Sequence, residues 1–519
     1  MTTGGARCLT LMTKALEVSA VKMRTKLYFG VWLVLMFCLT LTGAKRCVAQ
    51  DLSRDVIETP IASEPSFQSR QQSDEKIAEG KTIVEGKTIV QDKSLWTRTG
   101  GQDWPTFLGN DGESKSNEVG ILKDWSDGKL KLLWKRDTGA GYGMGSVADG
   151  RFYHFGLLDS KSTLVCVNAE TGKELWKFSY ESDYEDLYGY DSGPRASPVI
   201  NDGRVYIYGV EGHLHCLEAA SGKPIWNVNL SKRFGVIQNF FGVASTPVVY
   251  ENLILVMVGG SPDASKKVPS GALDQVRSNG TGIVALDKAT GKIKFQSVDD
   301  LASYASLRIA KFENQPIVLA FMRDALFGVK PKSGEVAFEF PWRSKELESV
   351  NASTPLKIED HVLISECYEV GAALLKIKDL NFELVWSDQG KRKVALKSHW
   401  CTPVVSGDVV YGCSGRHPSS AQLRCFDWKT GKVNWSKAGL SRTSITMIDG
   451  HLIVLSEEGE LLLVKQNSEK YELVTRYQPG ETGVRFQRPC WAAPIVSHGL
   501  LFVRGKKTLA CFDLIPQAK

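Results

Sequence analysis

The chain has 519 residues, 43% of them hydrophobic and 24% charged, with a formal net charge of +6. That apolar content supports a large buried core, and the length fits one unit only if the fold is a repetitive all-β ring. The positive charge is spread over a long chain without a basic stripe, which argues against a nucleic-acid partner.

In chain order, Lys22, Arg24 and Lys26 precede an apolar run from Leu27 to about Ala44. Such a run partitions into the membrane while the charges stay inside, which is what an export signal requires. Residues 1–49 are therefore expected to be a signal peptide, with small residues at Thr42, Gly43, Ala44 and Ala49 for cleavage. Retention as an uncleaved anchor is the other reading, because the run is near the lower limit of about 17 residues for a spanning helix. Either way the protein is expected to be exported, periplasmic or envelope-associated, meeting the membrane only through this segment. Residues 50–101 are polar and carry Glu-Gly-Lys-Thr-Ile-Val twice, at Glu79 and Glu85. A segment that buries so little apolar surface cannot offset its ordering entropy, so a disordered linker is expected.

From about 102 to 515 the sequence repeats, and the repeat decides the fold class. The clearest copy contains Ser197-Pro198-Val199, Asp202-Gly203, Val205-Tyr206-Ile207-Tyr208, Leu214-His215-Cys216-Leu217-Glu218, Ser221-Gly222-Lys223 and Ile225-Trp226. Asp-Gly supplies the positive φ of a tight hairpin, and the β-branched and aromatic runs suit strands buried on both faces. Four short strands in a period of roughly 45 residues make one propeller blade. Copies begin near Gly145, Ala196, Ser245, Tyr304, Ala352, Cys401, Ser444 and Ala493. The last copy stops after three strands, and Leu132-Leu133-Trp134-Lys135 upstream matches the fourth strand at Glu174-Leu175-Trp176-Lys177. The expected fold is an all-β, eight-bladed β-propeller of four-stranded blades. Pairing of the strand around Trp134 with the one around Cys511 would close it and leave no open sheet edge. A Trp at the end of each fourth strand should cover the gap between blades. Cys166, Cys216, Cys425 and Cys511 occupy one equivalent repeat position, as small buried residues on a packed strand would. Among the other cysteines no zinc-like spacing occurs, and Cys401–Cys413 or Cys413–Cys425 are the pairs open to a disulfide.

The Trp preceded by Thr-Gly-Lys, repeated through nearly all of the folded chain, resembles the Trp-docking repeat of quinoproteins. Asp103-Trp104-Pro105-Thr106-Phe107-Leu108-Gly109, then Lys131-Leu132-Leu133-Trp134, is similar to the opening of secreted PQQ-like (pyrroloquinoline-quinone-like) propellers of the planctomycete type. Leu108 stands where that family usually has Arg. Members are described as similar to the assembly lipoprotein BamB or to polyvinyl-alcohol dehydrogenase, so the resemblance implies two different uses. The favoured expectation is a non-catalytic binding or scaffold protein of the cell envelope. The alternative is a PQQ-dependent quinoprotein oxidoreductase acting on alcohols, which would bring PQQ with Ca²⁺ as cofactors. The chain lacks the adjacent Cys-Cys pair of the best-known alcohol dehydrogenases of this fold, and no Asp/Asn/Glu calcium set can be matched. No hydrolase elbow, zincin motif or phosphate loop occurs either, and no catalytic residue is assigned.

Residues just before or at the first strand of each blade should face the central funnel. They are Met144, Arg195, Val243, Tyr304, Asn351, His399 with Trp400, Arg442, and Arg488 with Trp491. Of these, Arg195, Asn351, His399, Trp400, Arg442, Arg488 and Trp491 form the candidate ligand-binding set. Guanidinium groups and indoles suit a flat anionic ligand through charge-assisted hydrogen bonds and stacking. The same residues would also serve as the polar lining of a wet channel. The expected partner is an envelope protein or a small anionic ligand, met by a monomeric propeller. The insertion of blade three, about Gly259 to Gly280, is a candidate recognition element.

Overall fold

The computed structural model describes residues 93–517, apart from 187, 238–240, 270–271 and 481–482. Among the described residues the strands form eight four-stranded sheets, the blades of a closed propeller. The expected signal segment and the expected linker as far as 92 lie outside the described residues. Residues 93–101 are tied to the propeller. Trp96 stacks on His498 at 4.0 Å, and Arg98 pairs with Asp513 at 2.8 Å. No helix among the described residues is long and apolar enough to cross a membrane.

Blade one shows the plan, with strands Ser146–Ala148, Arg151–Leu158, Lys161–Asn168 and Glu174–Glu181 from the axis outward. The two middle strands are buried almost throughout, whereas the outermost alternates between exposed and half-buried positions. The middle strands are covered by neighbouring blades on both faces, which explains their unbroken apolar runs. The repeated cysteine now has a role. It is the small middle member of a cross-strand row: Tyr153–Cys166–Trp176, Tyr206–Cys216–Trp226, Tyr411–Cys425–Trp435 and Phe502–Cys511–Trp134. All four cysteines are fully buried, and a thiol is small enough to sit between two rings.

Each docking Trp reaches the next blade. Trp176 donates from Nε1 to the Ala219 carbonyl at 3.2 Å, and its ring fills the place where Gly222 would carry a Cβ. Trp134 repeats this on Ala169 and Gly172 and Trp226 on Lys288 and Gly291, while Trp386 donates to the Trp428 carbonyl and packs over Gly431 at ordinary contact distance. Thr-Gly-Lys is therefore both a turn and a platform, and its glycine has φ near +70° as well as a ring overhead. The expected place at the end of the fourth strand holds for Trp386, next to last in Asn381–Ser387. It does not hold for Trp176, Trp226 and Trp435, which stand third in their outer strands, near the beginning. Blade three uses Phe295 on Gly334, and in blade four Trp342 directly follows the outer strand Val336–Pro341.

The Ser/Thr-Pro repeats line the axis and join the inner strands. The Ser197 amide donates to Thr246 Oγ1 (3.1 Å), Thr246 to Ser306 Oγ (3.0 Å), Ser306 to Thr354 Oγ1 (3.2 Å), and Thr354 to Thr402 Oγ1 (3.2 Å). Each hydroxyl thus satisfies a backbone N–H that the next blade would otherwise bury without a partner.

The ring closes where the repeat count places the seam. Strand Lys131–Asp137 pairs antiparallel with Thr508–Asp513, and Trp134 faces Cys511. Across the seam the buried Arg504 donates to the carbonyls of Gly141 (2.9 Å), Gly143 (2.5 Å) and Phe155 (3.3 Å) of blade one. The segment before this strand crosses the middle of the ring. Trp104 bridges to Val147 of blade one, the Pro105 carbonyl accepts from Ile200 of blade two, Glu113 pairs with Arg308 of blade four, and Ser114 donates to Ile445 of blade seven. It acts as a plug, with Trp104 and Ser114 wholly buried.

Candidate functional site

Every blade runs outward from its inner strand, so two kinds of connection emerge on one face. These are the links between blades and the turns between second and third strands. The expected funnel residues come from the links. The turns add Glu211, Arg323, Tyr368, Arg416, Glu457 and the described residues of the insertion 259–280, all on the same face.

The structure gathers five of the seven expected residues around Glu457. Glu457, at the end of strand His451–Ser456, is 1% exposed and receives Arg442 Nε at 2.8 Å and Nη2 at 2.5 Å. Trp491 Nε1 donates to the same carboxylate at 3.1 Å, and Arg488 stands 3.8 Å away. The Arg442 guanidinium lies 4.4 Å over Trp400, whose ring is 4.6 Å from Trp491 and 4.8 Å from His399. Arg442 Nη1 also donates to His399 Nδ1 at 3.2 Å, so that nitrogen carries no proton and Nε2 faces the Tyr368 hydroxyl at 3.3 Å. Burial, with the charges of Arg442 and Arg416, pushes His399 down to about 3. Burial works to raise Glu457, but the hydrogen bonds and charge of Arg442 and the Trp491 indole hold it below the ordinary carboxylate value.

Arg195 stands beside this group and not in it. It pairs with the buried Asp186 at 2.8 Å, donates to the Gly193 carbonyl, and lies 5.6 Å over Tyr142, which is 4.4 Å from Trp491. Asn351 is not a funnel residue in chemical terms. Its amide donates to the carbonyls of Met322, Arg323 and Trp342, tying blade five to blade four. Outward from Trp491 the rings continue through Tyr190 (5.7 Å) to Phe241 (5.4 Å) and from Phe241 to Tyr188 (5.6 Å). Tyr188 and Tyr190 are 51% and 45% exposed. Glu457, Tyr368 and Arg416 lie in the turns between second and third strands, and Tyr142 and Tyr190 lie in links but away from the repeat position next to the first strand, so the repeat position marked none of them. For the turn residues the available signal was a charged residue one or two places after a buried second strand, as at Glu457 after Ser456 and Arg416 after Ser414-Gly415.

The described cysteines are free and buried. Cys401 and Cys413 share a small cluster beside Trp400, while the Cys425 thiol faces the Ser468 carbonyl. On the same face, blades two to four enclose a second feature, a cavity of about 350 Å³ that includes Glu211, Val243, Ser245, Met257, Tyr304 and Arg323 in its lining.

The residues present do not fit PQQ with Ca²⁺. Both Glu457 oxygens are occupied by Arg442 and Trp491, and among the described residues no three His, Cys, Asp or Glu side chains gather to hold a metal ion. Arg442 and Arg195 are already neutralised by Glu457 and Asp186, so a polyanionic cofactor finds few unspoken-for charges. The Trp400 Nε1–H, by contrast, is buried without an acceptor.

A ring of Trp-docked four-stranded blades, closed between the first and last strands, is a PQQ-like β-propeller. A family profile described as "Outer membrane protein assembly factor BamB" matches residues 160–436, just over half of the chain, and the chain belongs to that family. It is also similar to the alcohol dehydrogenase (quinone), dehydrogenase subunit, of Komagataeibacter europaeus, at 24% identity over 201 residues. That match covers 37% of this chain and 25% of the relative, so the chain spans about a quarter of the length of the curated relatives it matches. Among solved structures, BamB from Moraxella catarrhalis aligns at 12% identity with a TM-score of 0.47, covering 74% of this chain and 100% of that one. The quinohemoprotein alcohol dehydrogenase from Comamonas testosteroni aligns at 15% identity with a TM-score of 0.44, covering 80% and 81%.

Proposed function

We propose that this chain is a non-catalytic, exported propeller of the cell envelope that binds another protein through its funnel face. The observation that carries this reading is the belt of aromatic rings around Trp491. Its inner members are held by Arg442 and Glu457, and its outer members Tyr188, Tyr190 and Arg488 are exposed. Tyr, Trp and Arg on a pre-organised floor are the residue types that dominate protein–protein hot spots. The opening signal-like segment and the family match support placement in the envelope.

A photo-crosslinking residue at Tyr190, expressed in intact cells, is expected to give a discrete adduct with an envelope protein. The same residue at Lys223, on the opposite face, is expected to give none. Equal adducts from both faces would overturn the assignment. So would a stoichiometric quinone band with dye-linked alcohol oxidation after addition of PQQ and Ca²⁺.

A further inference from the structure

Two of the buried thiols meet. Cys401 follows Trp400 in the link that enters blade six, and Cys413 lies in the second strand of that blade, Val409–Ser414. The antiparallel register Val404↔Tyr411, continued toward the funnel face, sets Cys413 opposite Thr402, the residue next to Cys401. Both side chains belong to one small cluster with Ala421, packed against Trp400, and the two residues are 5% and 3% exposed. The two thiols hydrogen-bond to each other. Cys413 Sγ also accepts the Thr443 amide at 3.3 Å, and Cys401 Sγ lies 3.8 Å from the Ser444 hydroxyl, so both sulfurs rest on one dipeptide of blade seven. The other six described cysteines fall in six different core clusters.

A contact between two thiols is a weak hydrogen bond, whereas a disulfide joins the same two atoms covalently. We propose that Cys401 and Cys413 are a redox pair that closes to an intrachain disulfide and pins the Trp400 link to blade six. This goes beyond the binding role proposed above, and takes from it only the oxidising surroundings that export provides. The oxidant is a disulfide of another molecule. The thiolate of one cysteine attacks a sulfur of that disulfide, forms a mixed disulfide and expels the other sulfur as a thiolate. The second cysteine thiolate attacks the first cysteine's sulfur, forms the Cys401–Cys413 bond and expels the remaining sulfur. Two electrons thus pass to the oxidant, and the two protons given up by the cysteines leave it as two thiols. Both sulfurs are shut away in the finished ring, so the exchange precedes the packing of blade six on blade seven. The bond then closes the open end of the hairpin Val404–Ser406 and Val409–Ser414, directly beside the aromatic belt.

The test is a tryptic map. The full chain, reduced and unfolded in urea, is refolded in a glutathione redox buffer, quenched with acid and alkylated in denaturant before digestion. Cys401 and Cys413 share the tryptic peptide 398–416, whereas Cys425 lies in 425–429. Most of the folded chains are expected to give peptide 398–416 without alkylation and two hydrogens lighter than its reduced form, and a reductant should return both thiols. Cys401→Ala and Cys413→Ala should each leave the other cysteine open to alkylation. Thermal melting shows that each sample is folded, and the map of the parent chain decides even where a variant is not. Alkylation of both cysteines in most of the folded chains overturns the inference. A bond from peptide 398–416 to peptide 425–429 does the same. The map of protein purified from the periplasm of expressing cells reads the compartment separately. A closed pair there supports both readings, whereas thiols free there but joined after refolding sink the exported role and uphold the pair.

Discussion

Glu366 ends the strand His361–Glu366 on the funnel face, 1% exposed, with no cation paired to it and only the Tyr368 backbone amide working to lower its value. Burial, reinforced by the nearby charge of Glu346, pushes its carboxyl from 4.5 up to about 8. In the unfolded chain it loses its proton near the ordinary value. Between the two values the folded state therefore keeps a proton that the unfolded state has released, and stability falls as pH rises. The slope is about 1.4 kcal/mol per pH unit, so pH 5 to pH 8 removes about 3–4 kcal/mol. Glu366→Gln keeps the shape and cannot ionise. Its unpaired amide carries a penalty of about 1–3 kcal/mol that does not change with pH. Urea unfolding of both proteins at pH 5, 6, 7 and 8 should show the variant gaining about 3 kcal/mol on the parent across the series. Parallel stability curves would refute the reasoning, because they would mean that Glu366 ionises in the folded protein as easily as in the unfolded chain.

The opposite slope belongs to the acid side. His399 and His215 are held neutral, by burial first, at about 3 and about 4, so each should cost about 1.4 kcal/mol per pH unit as pH falls below about 6.5. His399→Gln should flatten its share of that acid limb in the same urea series. Arg504→Met removes three hydrogen bonds across the seam, each of about 1.5–3 kcal/mol for a charged donor. It also relieves the burial that pushes the guanidinium down to about 10, a gain of about 3 kcal/mol, and a net loss of about 1.5–6 kcal/mol is expected by chemical denaturation. Gly222→Val places a branched side chain at φ +71° against the Trp176 ring, whereas Gly390→Ala at φ +74° meets open space. The first should cost about 3 kcal/mol or more and red-shift tryptophan fluorescence, the second about 1 kcal/mol without a spectral change. Glu457→Gln breaks the buried pair with Arg442, should cost about 3 kcal/mol, and should abolish the Tyr190 crosslink.

Much of the architecture was legible in the chain itself. The spacing of Asp-Gly, Thr-Gly-Lys and Trp gave the blade count, and the orphan strand at Trp134 gave the seam, because both follow from short-range hydrogen-bond and turn chemistry that repeats. The site was only half legible. The sequence search reached Arg195, His399, Trp400, Arg442, Arg488 and Trp491, since one repeat position marks the links between blades. It could not tell that Asn351 is engaged by three carbonyls of blade four, nor that Glu457 would draw Arg442, Trp491 and Arg488 together.

Repeated local rules fix the elements and their order, so sequence alone determined eight blades, their polarity and their closure. Contacts between residues far apart in the chain obey no period. The plug of Trp104 to Ser114 and the partners of Arg442 and Arg195 were therefore decided only when the ring closed. Closure brings blades one, four and seven within reach of one segment, and it sets which charges are shut away from water.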